Sequence, residues 1–247
     1  MSGHSKWSSI KHKKAKKDAQ RGKVFSKLSR KIAVEARTGG DPERNSNLRL
    51  VVEMAQEAGM PKDNIRKAIQ RGTGEAPGTS YEEFACEGYG PGGVALLIEG
   101  VTDNKKRAVA EIRHILSMHG GHLGESGCVN WLFSRKGLIV LSKDKVDEDK
   151  VMNLAIEIEA EDVKDEGDTL EIIFSQDKLN QVKQEIKKAG YPFELLELTM
   201  IPQTTIPLEE KEACQMLKLM DALEESEEVQ KVYANFDIPD KILNKVS

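Results

Sequence analysis

The 247-residue sequence lacks the features on which membrane, secreted and redox proteins depend. No apolar run approaches the roughly 20 residues that a membrane-spanning helix requires. The three cysteines, Cys86, Cys128 and Cys214, are odd in number and far apart, so they form neither a disulfide framework nor a CxxC pair. These absences predict a protein of the reducing cytoplasm that does not bind a membrane.

Sequence motifs of common enzymes are also missing, because the chain contains no GxxxxGK[ST], HExxH or GxSxG string. Gly88-x-Gly90-x-x-Gly93 spells a dinucleotide fingerprint, but a strand is predicted where a helix must receive the pyrophosphate. We interpret this string as a hairpin loop. Four metal-capable side chains match no common zinc spacing: His114, His119, His122 and Cys128. We therefore predict no enzyme activity, no metal and no cofactor.

Charge is distributed unevenly along the chain. The first 37 residues hold twelve Lys and Arg against two acidic residues, which is a net charge of +10. Since the whole chain carries −4, residues 38–247 carry −14. Packing a core does not need such segregation, which acts on partners through attraction and counterion release. The basic segment predicts a polyanionic partner, and nucleic acid is the commonest one.

Other interpretations of the basic segment are less consistent with its residues. A solvated tail is one alternative, and a mitochondrial transit peptide is another, although such peptides favour Arg over Lys. Attachment to a membrane surface needs large apolar residues on one side. Between Lys11 and Lys23 there is no Leu, Ile, Val or Phe.

Apolar periodicity predicts three helices in the first 74 residues. The first runs through residues 24–36, where apolar side chains recur every three to four positions. Turn-forming residues set the remaining helix ends, with a linker after the third helix. These residues are Gly39-Gly40 after the first helix, Asp41-Pro42 before the second, Gly59 after it, Pro61 before the third, and Gly72-Thr73-Gly74 and Ala76-Pro77-Gly78 after it.

The second and third helices have the spacing of a helix-turn-helix. Ala55 would allow close helix approach, Gly59 would form the turn, and Ile65 would seat the second helix. An ordinary helical hairpin is the alternative. On the first interpretation, the side chains facing a major groove are Lys62, Asn64, Arg66, Lys67, Gln70 and Arg71.

The remaining sequence predicts an α+β architecture. Two strands, a helix and a strand near Cys128–Phe133 precede a βαββαβ series of the ferredoxin-like type. A helix and a strand then follow, and they complete the first α+β unit if the ferredoxin-like unit is inserted into it. The predicted fold class is thus multidomain α+β with an all-α N-terminal three-helix domain. The predicted divisions are residues 1–76 for the basic arm and helices, 79–134 with 204–240 for the discontinuous unit, and 135–203 for the insertion.

The basic residues of the arm and the helices are the predicted nucleic-acid contacts. Lysine and arginine would bind phosphates, while Trp7 would either stack on a base or anchor the arm. We expect a monomer, because no dimer-forming heptad is present. The predicted contacts are Lys6, Trp7, Lys11, Lys13, Lys14, Lys16, Lys17, Arg21, Lys23, Lys27, Arg30, Lys31, Lys62, Arg66, Lys67 and Arg71.

Several strings in the sequence resemble those of the YebC/PmpR family over nearly the whole chain. Two positions depart from the family pattern, at Lys105-Lys106 and at His122. The strings are Gly3-His4-Ser5-Lys6-Trp7, Ile10-Lys11-His12-Lys13-Lys14, Lys23-Val24-Phe25-Ser26-Lys27-Leu28, Arg30-Lys31-Ile32, Gly39-Gly40-Asp41-Pro42, Gly59-Met60-Pro61-Lys62-Asp63-Asn64-Ile65, Arg71-Gly72-Thr73-Gly74, Glu87-Gly88-Tyr89-Gly90-Pro91 and Thr102-Asp103-Asn104.

The resemblance implies a helical N-terminal domain and two α+β domains, one inserted in the other. It further implies a transcriptional regulator that binds DNA, while the mitochondrial relatives imply translational activation and bacterial members a link to the ribosome. The flexible basic arm suits irregular RNA, which leaves DNA and ribosomal RNA both open as partners. A third hypothesis is a protein-interaction module that does not bind nucleic acid.

Overall fold

The computed structural model describes residues 18–76 and 80–238, and it begins with three packed helices. Their shared core is built from aliphatic side chains such as Ile32, Leu48 and Ile65, at the positions that the periodicity predicts. The linker predicted at Ala76-Pro77-Gly78 lies mostly outside the described residues. The helices are α1 (Asp18–Glu35), α2 (Ser46–Glu57) and α3 (Lys62–Thr73).

The ends of these helices differ from the predicted ends for local reasons. Helix α2 begins at Ser46 rather than directly after Pro42, because the Asn45 side chain accepts a hydrogen bond from the Leu48 amide at 3.1 Å. Helix α3 continues through Gly72 and ends at Thr73, because the next residue, Gly74, adopts a left-handed φ of 80°.

Gly72 allows α3 to lie directly against α1. A Cβ atom at this position would stand 2.3 Å from the Ala33 carbonyl oxygen and 2.7 Å from the Ala36 Cβ atom. The first is a backbone atom and the second is attached directly to the backbone, so neither can rotate away. The glycine therefore sets how closely the two helices approach.

Gly72→Ala is expected to lower the free energy of unfolding by about 1–3 kcal/mol, because the added methyl overpacks this contact. Urea denaturation measures the change. Gly22→Ala is the matched control, since nothing lies within 4 Å of a Cβ at that helical position. The control should be neutral or stabilising by about 0.5–1 kcal/mol, and equal losses in the two variants would contradict the packing argument.

The next section forms most of a four-stranded antiparallel sheet that has two helices on one face. A strand from the end of the chain, β9 (Val229–Ala234), completes it in the order β3-β1-β2-β9. Strands β1 and β2 form a hairpin, which confirms the interpretation of the Gly88-x-Gly90-x-x-Gly93 string. The bounds are β1 (Glu82–Tyr89), β2 (Ala95–Thr102), α4 (Lys105–Met118) and β3 (His122–Leu123).

The strand predicted near Cys128–Phe133 is wrong. The strand that pairs with β1 is β3, and the segment before Phe133 forms turns instead. The cause is the Glu87 carboxylate, which accepts hydrogen bonds from the amides of Gly127, Val129 and Asn130 at 2.6, 2.7 and 2.8 Å. Amides bound to a carboxylate cannot join a sheet ladder.

This brace is expected to depend on pH. Burial favours the neutral acid, but the three amide bonds outweigh it and hold the pKa of Glu87 below its ordinary value of 4.5. Because its pKa is lowered, the ionised Glu87 stabilises the folded loop at every pH above its ordinary pKa. That stabilisation is lost as the pH falls through the lowered pKa. In a Trp7→Phe background, Trp131 emission should be constant above about pH 5 and change below 4.5, whereas Glu87→Gln should remove the transition.

The βαββαβ series is present, and its sheet has the order β5-β6-β4-β7 with every pair antiparallel. Helices α5 and α6 bury Leu154 and Ile186 against one face. The bounds are β4 (Phe133–Ser142), α5 (Glu148–Glu157), β5 (Asp162–Asp165), β6 (Thr169–Ser175), α6 (Leu179–Ala189) and β7 (Phe193–Pro202).

The chain then returns to the first sheet, as predicted for an inserted unit. Strand β9 pairs with β2, and the helix before it packs on the same face as α4, with Met216 and Met220 in the shared core. The elements are β8 (Ile206–Pro207), α7 (Glu210–Glu225), β9 (Val229–Ala234) and β10 (Phe236–Asp237).

Helix α1 docks on the turn between α7 and β9. Lys27 Nζ donates to the Glu224 carbonyl at 2.7 Å, and the Arg30 guanidinium donates to the carbonyl and the carboxylate of Glu227 at 2.8 and 2.9 Å. The half-buried Gln230 side chain donates to the Lys27 carbonyl at 3.3 Å. These bonds fix the helical part to the α+β body.

Candidate nucleic-acid interface

The structure places nine of the predicted contacts on two adjacent helices, and the other seven lie outside the described residues. Helix α1 carries five of the nine and α3 carries four. The seven are Lys6, Trp7, Lys11, Lys13, Lys14, Lys16 and Lys17. The nine are Arg21, Lys23, Lys27, Arg30 and Lys31 on α1 and Lys62, Arg66, Lys67 and Arg71 on α3.

A groove of about 330 Å³ lies between α1 and α3. Three cationic side chains converge on it, Arg30 from α1 and Lys67 and Arg71 from α3. In the described part of the chain, no Asp or Glu lines this groove. Its other lining residues are Gly22, Phe25, Ser26, Ser29, Met60, Asn64 and Tyr81.

The two groove cations of α3 have no acidic partner. Lys67 and Arg71 are exposed, stand one helical turn apart, and make no ion pair with any residue in the ranges 18–76 and 80–238. Elsewhere the protein pairs exposed cations, for example Lys188 with Glu185 at 2.6 Å. Uncompensated cations around a carboxylate-free groove attract an anion and release its counterions on binding.

Three of the predicted contacts are engaged inside the protein instead. Lys27 and Arg30 bind the turn after α7, and the Arg30 guanidinium also stacks 5.7 Å from the centre of the Tyr81 ring. Burial, with the nearby Lys231 ammonium as the next cause, lowers the pKa of Lys31. Of these three side chains, only Arg30 lines the groove.

A second cleft of about 630 Å³ lies on the other side of α3. Ile65 and Ile69 contribute apolar surface to it, and Gln56, Gln70 and Lys62 contribute polar groups. Arg66 also lines this cleft and pairs with Asp63 at 3.0 Å, although both side chains are exposed, so the pair contributes little. Helix α3 therefore presents polar side chains to two clefts.

The helix-turn-helix spacing produces the local geometry that it predicts. Gly59 adopts a left-handed φ of 78°, and Ala55 and Ile65 are buried. Both α2 and α3 also pack on α1, so the pair forms part of a three-helix unit. Major-groove reading by α3 stays a prediction.

The sequence interpretation missed two hydroxyl side chains of the groove, Ser26 and Ser29. A signal for them exists, because Gly22, Ser26 and Ser29 form a stripe of small residues on a helix whose other positions are mostly apolar or basic. Such a stripe marks the side of a helix that a neighbour or a ligand can approach closely.

Other chemistries find little support in the described residues. Among them, no group of three or more His, Cys, Asp or Glu could hold a metal ion. The His119 Nδ1 atom lies 2.9 Å from the Ile115 carbonyl oxygen, and the His122 ring stacks on Tyr89. None of the helices in this part of the chain is both long enough and apolar enough to cross a bilayer.

The fold and the basic groove define a class of three-part α+β proteins that have a helical N-terminal unit. This chain belongs to the TACO1/YebC family. The family model described as the TACO1/YebC protein N-terminal domain matches residues 5–75, and the one described as the second and third domain matches residues 81–236. The resemblance seen in the sequence is confirmed.

Similar proteins are found in several bacteria. A protein of Dictyoglomus turgidum is 53% identical over 249 residues, which cover 100% of both chains, and one of Geobacter sulfurreducens is 53% identical over 247 residues; both are named probable transcriptional regulatory proteins. The crystal structure of a conserved hypothetical protein from Aquifex aeolicus is 45% identical, with a TM-score of 0.79 over 90% of this chain and 92% of that one.

Proposed function

We propose that this protein is a regulator of gene expression that binds nucleic acid through the groove between α1 and α3. The proposal rests on Lys67 and Arg71, which make no ion pair among the described residues and lie beside a groove that no described Asp or Glu lines. In a chain with a net charge of −4, such a surface selects a polyanion. The proposal includes no catalytic step and no cofactor, and it places a monomer in the cytoplasm.

DNA is the target that the names of the relatives favour. A probable transcriptional regulatory protein acts on DNA most directly, and the spacing of α2 and α3 is compatible with a helix that enters a major groove. On this proposal Lys62, Arg66 and the basic arm contact backbone phosphates. The arm, from Lys6 to Lys17, adds attraction that does not depend on sequence.

RNA is a second candidate, which the size of the groove favours. Its volume of about 330 Å³ is too small to enclose a duplex, so a single strand fits it better. The hydroxyls of Ser26 and Ser29 and the amide of Asn64 add hydrogen-bonding groups beside the cations. A single-stranded region of RNA, including ribosomal RNA, matches that chemistry.

Equilibrium binding of the full chain to mixed duplex DNA, single-stranded RNA and purified ribosomes tests the proposal. Each target is titrated with salt, and log K is plotted against log salt. Six to eight phosphate contacts predict a slope of about −5 to −7 on duplex DNA. A tight duplex complex that survives physiological salt selects DNA, and RNA or ribosome binding under conditions where the duplex is lost selects the second candidate.

A nearly flat salt dependence on every target would contradict the proposal. It would favour a protein-interaction module, in which the acidic body is the active surface. Full activity after deletion of residues 1–23 together with Lys67→Gln and Arg71→Gln would lead to the same conclusion.

A further inference from the structure

A rigid aromatic surface lies on the α+β body, away from the α1–α3 groove. Trp131 is 65% exposed, although tryptophan has the largest of the apolar side chains. It belongs to the turn segment before Phe133, where a strand was predicted. Exposing a tryptophan to this extent forgoes the stabilisation that its burial would provide. This position therefore requires an explanation beyond folding.

The indole turns its polar atom inward. Trp131 Nε1 donates to the Cys128 carbonyl at 3.1 Å, and the Tyr89 hydroxyl donates to the same oxygen at 3.4 Å. Because the only hydrogen-bond donor of the indole is satisfied, the ring offers a partner its π surface and no polar group. A partner must therefore be recognised by stacking.

Neighbouring rings enlarge this surface. The Tyr89 ring stacks on His122 with centroids 5.4 Å apart and planes inclined by 29°, and His122 is itself exposed. Tyr89 and Trp131 donate to the same carbonyl, so the Tyr89–His122 stack lies beside the indole. Arg135, four residues after Trp131, is exposed and makes no ion pair with any residue that the structure describes.

The backbone beneath the cluster is held before any partner arrives. The Glu87 carboxylate binds the Gly127, Val129 and Asn130 amides, so the segment that carries Trp131 is fixed to β1. A ring that is already oriented loses little conformational freedom on binding. This arrangement suits a flat ligand that stacks on a fixed surface.

We propose that Trp131, with Tyr89 and His122, stacks an unpaired base of single-stranded RNA. Stacking on an aromatic face is how proteins bind splayed bases, and it tolerates any base because each has a π face. The exposed Arg135, which makes no ion pair among the described residues, adds the positive charge that a phosphate next to the stacked base would meet. The inference adds a second contact surface for nucleic acid. It rests on the proposed function only for the class of the ligand.

The test uses the full chain with Trp7→Phe, which leaves Trp131 as the sole tryptophan of the two in the sequence. Unlabelled oligo(U), oligo(A) and the matching DNA oligomer, each about twelve nucleotides long, are titrated while Trp131 emission is followed. Anisotropy of a labelled copy reports total binding separately. Quenching that saturates together with the anisotropy, and a loss of roughly tenfold in RNA affinity for Trp131→Ala but not for Trp131→Phe, are expected.

Two results would overturn the inference and leave the proposed function standing. One is a rise in anisotropy with unchanged Trp131 emission, which places the RNA elsewhere on the protein. The other is quenching by the DNA oligomer alone. If neither signal changes with any oligomer, RNA binding by the protein fails as well, and an effect of Trp131→Ala confined to protein partners would reassign the surface to an interaction with protein.

Discussion

Replacing Lys67 and Arg71 together by glutamine is expected to weaken nucleic-acid binding roughly 60-fold at 0.1 M salt. The reason is that each phosphate contact makes the binding constant vary with the salt concentration to the power of about −0.9. The slope of log K against log salt should become shallower by about 1.8 for duplex DNA. Both side chains are exposed and lack an acidic partner within the described chain, so their loss removes attraction without breaking an ion pair. Fluorescence anisotropy across a salt series measures both quantities.

The chain offers a matched control on helix α6. Lys183 and Lys187 are also exposed and one helical turn apart, and they lie on the inserted unit. The double variant Lys183→Gln with Lys187→Gln removes the same two positive charges, but away from the groove. It should therefore weaken nucleic-acid binding only slightly, through the change in net charge. Similar losses in the two double variants would show that binding follows total charge and would contradict a role for the groove.

Glu228→Ala is expected to lower the free energy of unfolding by about 1.5–3 kcal/mol, because it removes a buried carboxylate that accepts a charged hydrogen bond. The Glu228 side chain is 7% exposed, accepts a hydrogen bond from Arg107 at 2.6 Å, and lies 3.4 Å from Arg30. It thereby links α1 to the N-terminus of α4. Without it, Arg30, whose side chain is 16% exposed, keeps only Glu227, and Arg107, which is 52% exposed, keeps only Asp103.

Glu227→Ala is the control, since it removes a neighbouring carboxylate that also binds Arg30 but is 54% exposed. An exposed pair contributes about 0–1 kcal/mol, so this variant should unfold close to the parent. Urea unfolding followed by circular dichroism compares the two. Equal losses would mean that burial does not distinguish the two acids.

The helical part could be predicted closely because its signals are local. The third helix needs only Pro61 at its start, Ile65 and Ala68 on one face, and a left-handed glycine at its end. The inserted α+β unit could also be predicted. The βαββαβ series is complete by itself, so the helix and strand that follow it must complete the earlier, incomplete unit. The helix inferences use residues close together in the chain, whereas the insertion follows from the order of the elements along it.

The errors concern contacts between distant residues. Nothing near Cys128–Phe133 indicates that Glu87, about forty positions earlier, binds the amides that a strand would need. The same holds for the site, because charge alone predicts that Arg30 and Lys67 are equivalent. Only the fold reveals that Arg30 binds Glu227 while Lys67 lines an open groove.

The docking of α1 has a consequence for the newly made chain. Lys27 binds a residue 197 positions further along the sequence, and at a synthesis rate of about 5–20 residues per second its partner follows roughly 10–40 s later. During that interval the helices can fold, but the turn that binds Lys27 and Arg30 does not yet exist. The nascent protein therefore presents a more basic surface to surrounding polyanions than the finished one, and completing the C-terminal part reduces that attraction.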